Sequence, residues 1–142
     1  NGQSNVSVGG LNPRTSDGSF IIAVTDPTDP YDVSGKHGYA HATLYDGEQL
    51  VTSGDYQKFF EVDDVKYHHI ISPITLFPLT HSRSVSIITD NAALADLYST
   101  AIFNMTYEEG LAFVNSIDGL EAIWYLEDGT IQMSEAFEGE IQ

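Results

Sequence analysis

The 142-residue chain predicts an α+β fold, a mostly antiparallel sheet with a helix pair in the C-terminal half. Three observations carry this. Up to residue 89 the apolar side chains fall in short β-rich runs broken by turn residues. From Ala92 to Phe103 there is no Gly or Pro, and Ala, Leu and Ile recur at helical spacing. Thr106 and Glu109 then form a Thr-x-x-Glu pattern, which opens a second helix by satisfying its first backbone N–H groups. No linker, repeat or low-complexity tract divides the chain, so 1–142 is read as a single domain.

In order along the chain, Asn5 to Val8 alternates before Gly9-Gly10. Ser19 to Val24 is a β-rich run, entered through Asp17-Gly18 and left through Asp26-Pro27. Thr28 to Gly38, rich in Pro, Asp, Gly and Ser, is a loop. Tyr39 to Tyr45 and Gln49 to Thr52 are strands joined at Asp46-Gly47. Tyr56 to Val62 and Val65 to Ile71 form a hairpin around Asp63-Asp64. Ser72 to His81, with two prolines, is irregular, and Ser84 to Thr89 is a strand. After the helices, the second ending near Asn115, Leu120 to Leu126 is a strand, and Asp128-Gly129 turns it into Thr130 to Met133. The last residues read as an acidic tail.

Charge excludes two classes of partner. Lys and Arg number 5 against 21 Asp and Glu, a formal net charge of −16. Arg83 is the last basic side chain, and residues 84–142 hold eleven acids. Nucleic acid needs a cationic footprint, and anionic lipid surfaces repel the same field. No nucleic-acid partner is expected. No apolar run approaches the roughly 20 residues of a spanning helix, so no direct membrane insertion by this segment is expected either. With no cysteine there is no disulfide, thiolate site or Cys nucleophile. The start, Asn1-Gly2-Gln3-Ser4, is neither an initiator Met nor a signal peptide, so the chain is read as a piece of something longer.

Three stretches can carry chemistry. Asp96 and Thr100, at i and i+4 on the first helix, bring a carboxylate and a hydroxyl to one face. Both are hard oxygen donors suited to Mg²⁺ or Ca²⁺, and two suffice for Mg²⁺, which keeps waters and takes substrate phosphates. The plain alternative is a solvated Asp and a Thr bonded back to a helical carbonyl. In Tyr67-His68-His69-Ile70-Ile71-Ser72-Pro73, the two histidines of a strand face opposite sides. At most one faces a cleft, where a near-neutral pKa suits a general base. Thr52-Ser53-Gly54-Asp55-Tyr56 is either a polar loop presenting hydroxyls and N–H groups, or a strand and its turn. No P-loop, dinucleotide fingerprint or Ser nucleophile elbow is present.

In this order and spacing, Gly9-Gly10, Asp17-Gly18 leading to Val24-Thr25-Asp26-Pro27, Thr52 to Tyr56, Tyr67 to Pro73, Ala95 to Phe103 and Asp128-Gly129 resemble the C-terminal half of the ApbE-like FAD:protein FMN transferases. Those proteins show a mid-chain Gly-Gly and a Thr-Ser-Gly-Asp-Tyr stretch. A His-(Ile/Leu)-Ile-Asp-Pro-x-Thr-Gly-x-Pro motif and an Ala-Asp-Ala-Leu-Ser-Thr-Ala-Leu-Phe helix follow. The resemblance covers nearly all of this chain and about half of the family's length. It implies a T-fold-related architecture and Mg²⁺-dependent transfer of FMN from FAD to a Thr or Ser hydroxyl of a target flavoprotein. Hydrolysis of FAD to FMN and AMP is the variant with water as nucleophile.

Carried over by position, the resemblance makes Asp96 and Thr100 metal ligands, His69 the catalytic base and an FAD contact, and Ile70 an FAD contact. It gives His68 no role. It also implies an extracytoplasmic location, with a lipid anchor on an upstream segment. The chain departs from the pattern at Ser72, where the family has Asp, and at Leu76, where it has Gly. Leu97-Tyr98 replaces Ala-Leu in the helix, which adds bulk beside the ligands. Ser72 cannot supply the charge with which an Asp raises the pKa of a neighbouring His. The competing reading is therefore a non-catalytic FAD- and Mg²⁺-binding module, or a structural remnant of the same fold.

Overall fold

In the computed structural model, which describes residues 5–30, 38–56, 59–62, 65–68 and 81–142, ten strands and two helices follow one another along the chain. They are β1 (Asn5–Ser7), β2 (Phe20–Thr25), β3 (Gly38–Leu44), β4 (Gln49–Gly54), β5 (Phe59–Val62), β6 (Val65–His68) and β7 (Ser82–Thr89). Next come α1 (Ala92–Phe103), α2 (Tyr107–Asn115), β8 (Glu121–Leu126), β9 (Ile131–Met133) and β10 (Gly139–Ile141). All strand pairs are antiparallel, and the fold is α+β as expected. The strands sort into a five-stranded sheet of order β1-β4-β7-β8-β9, a three-stranded sheet β10-β3-β2, and the pair β5-β6.

Alternation in the central strands builds two cores at once. One face carries Val51, Val85, Ile87, Ala122 and Trp124, which meet Ala95, Ile102 and Phe103 of α1 and Val114 of α2. The other carries Leu50, Ile88 and Ile123, which meet Val24, Ala40, Ala42 and Leu44 of the smaller sheet. The five-stranded sheet is therefore buried on both sides, between helices and a second sheet. Ile87, Ile88 and Ile123 are at most 1% exposed, and burying each such side chain contributes about 1.5–3 kcal/mol. Thr52 and Ser86 also face the second sheet, and their hydroxyls satisfy each other at 2.7 Å. An unsatisfied buried hydroxyl would cost about 1–3 kcal/mol instead.

Two irregularities shape one end of the space between the sheets. The β2–β3 ladder pairs Val24 with Ala40 but Thr25 with Gly38, so Tyr39 is the extra residue of a β-bulge. Its ring turns inward against Tyr125, edge to face at 5.1 Å, and burial pushes its hydroxyl pKa up. Gly38 fits because a Cβ there would stand 2.9 Å from the Val24 carbonyl oxygen. A second shift, between Ser82 and Ser84, leaves Arg83 out of the β7–β8 ladder. Arg83 meets Asp55 there, Nε to Oδ2 at 3.5 Å, and its carbonyl accepts the Asp55 N–H.

Several expectations change at this level. The Asp46-Gly47 turn, with Gly47 at φ 90, carries the chain from the smaller sheet to the larger, because β3 and β4 belong to different sheets. Gly38 opens β3 rather than closing a loop. Asp55 and Tyr56 form a turn, and the following strand starts at Phe59. The acidic tail is not a tail: β10 pairs with β3, which would otherwise expose an edge. Asp63 and Asp64, the expected hairpin turn between β5 and β6, lie outside the described residues, as do most of the irregular stretch to His81 and most of the loop before Gly38. Among the described residues no helix is long and apolar enough to cross a membrane.

Candidate functional site

The helix that carries Asp96 and Thr100 is set on the sheet by one face of its sequence. Ala95, Ser99, Ile102 and Phe103, spaced by four, three and one, are its buried residues. Asp96 follows Ala95 and is exposed; Thr100 follows Ser99 and is half-buried. The two stand one turn apart on the flank of α1, on the same side of the helix. Among the described residues neither the Asp96 carboxylate nor the Thr100 hydroxyl makes a hydrogen bond or ion pair, whereas the Thr100 carbonyl accepts from Asn104 Nδ2 at 2.8 Å. The back-bonding Thr that would have explained Thr100 is absent. Ser99 takes that habit instead, donating to the Asp96 carbonyl at 3.1 Å.

Thr52-Ser53-Gly54-Asp55-Tyr56 turns out to be the end of β4 and its turn, not a polar loop. Thr52, Ser53 and Gly54 are all buried. Thr52 faces the second sheet, and Ser53 faces α1, where its Oγ lies 2.9 Å from Ser99 Oγ. The Tyr56 ring lies over Gly54, where a Cβ would meet the ring at 2.5 Å. Burial, with the Asp55 charge adding to it, pushes the Tyr56 hydroxyl up to about 12. The Ser53–Ser99 bond was not visible in the sequence, since it joins residues 46 apart.

The bulk at Leu97-Tyr98 does not crowd the pair. The Tyr98 ring packs edge-on against Phe113 of α2 at 5.8 Å, and Leu97 projects outward, 63% exposed. α2 itself starts as the sequence predicts. Glu109 N–H donates to Thr106 Oγ1 at 3.3 Å, and Thr106 N–H donates to the Glu109 carboxylate at 3.1 Å. His69 and Ile70 lie outside the described residues, so only Asp96 and Thr100 of the four expected site residues are brought together here. A carboxylate and a hydroxyl without partners among the described residues are a donor set that fits Mg²⁺, with water or phosphate oxygens completing its shell. Among the described residues no group of three or more His, Cys, Asp or Glu could hold a metal.

The class is thus an α+β protein with a helix–sheet–sheet build that presents a carboxylate and a hydroxyl one turn apart on the flank of its first helix. Residues 1–124 match the model of the ApbE family, and the chain belongs to that family. It is 42% identical over 86 residues to the FAD:protein FMN transferase of Treponema pallidum (strain Nichols), covering 60% of this chain and 24% of that protein. With the FAD:protein FMN transferase of Escherichia coli (strain K12) it shares 31% identity over 130 residues, 87% of this chain and 35% of the relative. The crystal structure of the ApbE protein from Thermotoga maritima superposes with a TM-score of 0.76 at 33% identity, over 94% of this chain and 41% of that one. The apo form of the Pseudomonas stutzeri flavinyl transferase ApbE gives 0.65 at 26% identity, over 93% and 39%. The chain spans about a quarter to two fifths of the length of these relatives.

Proposed function

We propose that this chain is the part of an FAD:protein FMN transferase that holds the divalent cation and the base, with FAD as substrate and a Thr or Ser hydroxyl of a target flavoprotein as acceptor. The observation that carries the reading is the Asp96–Thr100 pair on α1, without a side-chain partner among the described residues, in a chain of this family. Asp96 and Thr100 would hold Mg²⁺, which when bound neutralises charge on the pyrophosphate. His69 takes the proton of the acceptor hydroxyl as its oxygen bonds to the phosphorus of the FMN half. The bond from that phosphorus to the bridging oxygen breaks, and AMP leaves. Ile70 would contact FAD, as the resemblance implies. With water as acceptor the same residues give FMN and AMP. The reading carries an extracytoplasmic location with it.

Ser72 and Leu76 favour a second reading, in which the chain binds FAD and Mg²⁺ without turnover. Both readings share one consequence. A chain of net charge −16 repels a pyrophosphate unless a cation stands between them. FAD fluorescence titrations are expected to show binding with Mg²⁺ present, its loss in EDTA, and at least roughly tenfold weaker binding in Asp96→Ala. Binding indifferent to EDTA and to Asp96→Ala contradicts the assignment of the pair.

A further inference from the structure

The face of α1 that meets the sheet is apolar except at Ser99, which is fully buried. Apolar contacts set the rotation and sliding of a helix on a sheet only to within the slack of their packing, because they carry no direction of their own. A full one-residue step, about 100°, would lift Ile102 and Phe103 off the sheet, but a smaller turn keeps them covered and still re-aims Asp96 and Thr100. Ser99 narrows that slack. Its single O–H is donated to the Asp96 carbonyl at 3.1 Å, so in the 2.9 Å contact with Ser53 it accepts. The Ser53 hydroxyl of β4 therefore donates to α1, and α1 passes the constraint on to the backbone of Asp96.

We propose that Ser53 and Ser99 are positioning residues for the Asp96–Thr100 pair: a strand-to-helix hydroxyl chain that ends on the Asp96 backbone sets the angle at which the pair faces the cation. The inference rests on the reading of Asp96 and Thr100 as Mg²⁺ ligands and extends it to two residues that touch no ligand. A polar bond inside an apolar interface is the kind of contact that specifies one arrangement among several of similar packing.

The test is a titration of the ¹⁵N-labelled chain with MgCl₂, following the amides of residues 96–101. Ser53→Ala and Ser99→Ala are each expected to raise the midpoint roughly tenfold, as loss of a group supporting a metal ligand does. The double variant should be no worse than the weaker single one, because either change breaks the same chain. Ser53→Thr keeps a hydroxyl in a strand position and should restore the parental midpoint, a rescue that general loosening of the fold would not give. Should Ser99→Ala fail to fold, Ser53→Ala and Ser53→Thr decide the matter. Parental midpoints in the alanine variants, with the response lost in Asp96→Ala, overturn the positioning role and leave the metal reading standing. A Mg²⁺ response that survives Asp96→Ala, or none in the parent, overturns both.

Discussion

Glu121 sits half-buried at the start of β8, its carboxylate accepting the Glu138 N–H at 3.0 Å. Burial pushes its pKa up, the Glu138 N–H pulls the other way, and the charges of Glu48 and Glu138 add to the rise. Tyr45 stands in the same group, donating its hydroxyl to Glu138 at 2.8 Å and its backbone N–H to Glu48. A carboxyl whose folded pKa lies above its unfolded value supports the fold below the unfolded value, 4.5, and loses that support as pH rises through the folded one. At neutral pH the Glu121 charge therefore works against folding. Glu121→Gln, which keeps an oxygen for the Glu138 N–H, is expected to raise Tm at pH 7 by on the order of 1–2 °C, since half-exposed charges are screened. The gain should shrink at pH 4, and a lower Tm at pH 7 would contradict the account. Legibility differs sharply among residues. Asp96 and Thr100 could be placed together from the sequence because four residues on a helix is a local relation. The bond from Ser53 to Ser99 depends on how β4 and α1 register across the sheet, which no local pattern encodes.

The elements that local chemistry defines were legible, and those that depend on a neighbour were not. α2 follows from Thr106 and Glu109 alone, and the turn into β9 follows from Asp128-Gly129, with Gly129 at φ 86. β10 had no such signal, since Gly139-Glu140-Ile141 has neither length nor clear alternation. Its pairing comes from β3, whose backbone groups need a partner on that side: the Thr43 N–H donates to the Glu138 carbonyl at 2.8 Å, and the Gln142 N–H to the Tyr39 carbonyl at 3.0 Å. Tyr39 could not be recognised as a core residue either, because the bulge that turns it inward is a property of the β2–β3 pair. Close approach of β10 to β3 explains Gly139, where a Cβ would run into the His41 carbonyl oxygen and the Phe137 ring. Gly139→Ala should lower the unfolding free energy by about 1–3 kcal/mol, as overpacking does. Urea denaturation measures it, and a variant as stable as the parent would show that β10 is not held this tightly.

Across the whole molecule, two layers cover the central sheet, and the stretch without Lys or Arg, residues 84–142 with eleven acids, includes Asp96 and Thr100. Under the proposed function, that charge suits a phosphate-bearing ligand that arrives with, or onto, a divalent cation. The resemblance of several motifs in order points to the family from the sequence alone, because residue types and their order are displayed there directly. It could not supply the sorting of the strands into separate sheets, which is set by long-range packing. The central claim, that this chain takes part in Mg²⁺-dependent cleavage of FAD, is tested most directly by incubating it with FAD, with and without Mg²⁺, and separating the products by chromatography. The account predicts AMP and FMN, or AMP and flavinylated acceptor, only with Mg²⁺, with at least roughly hundredfold less in His69→Ala and in Asp96→Ala. Cleavage that proceeds without Mg²⁺, or that survives both substitutions, would contradict it.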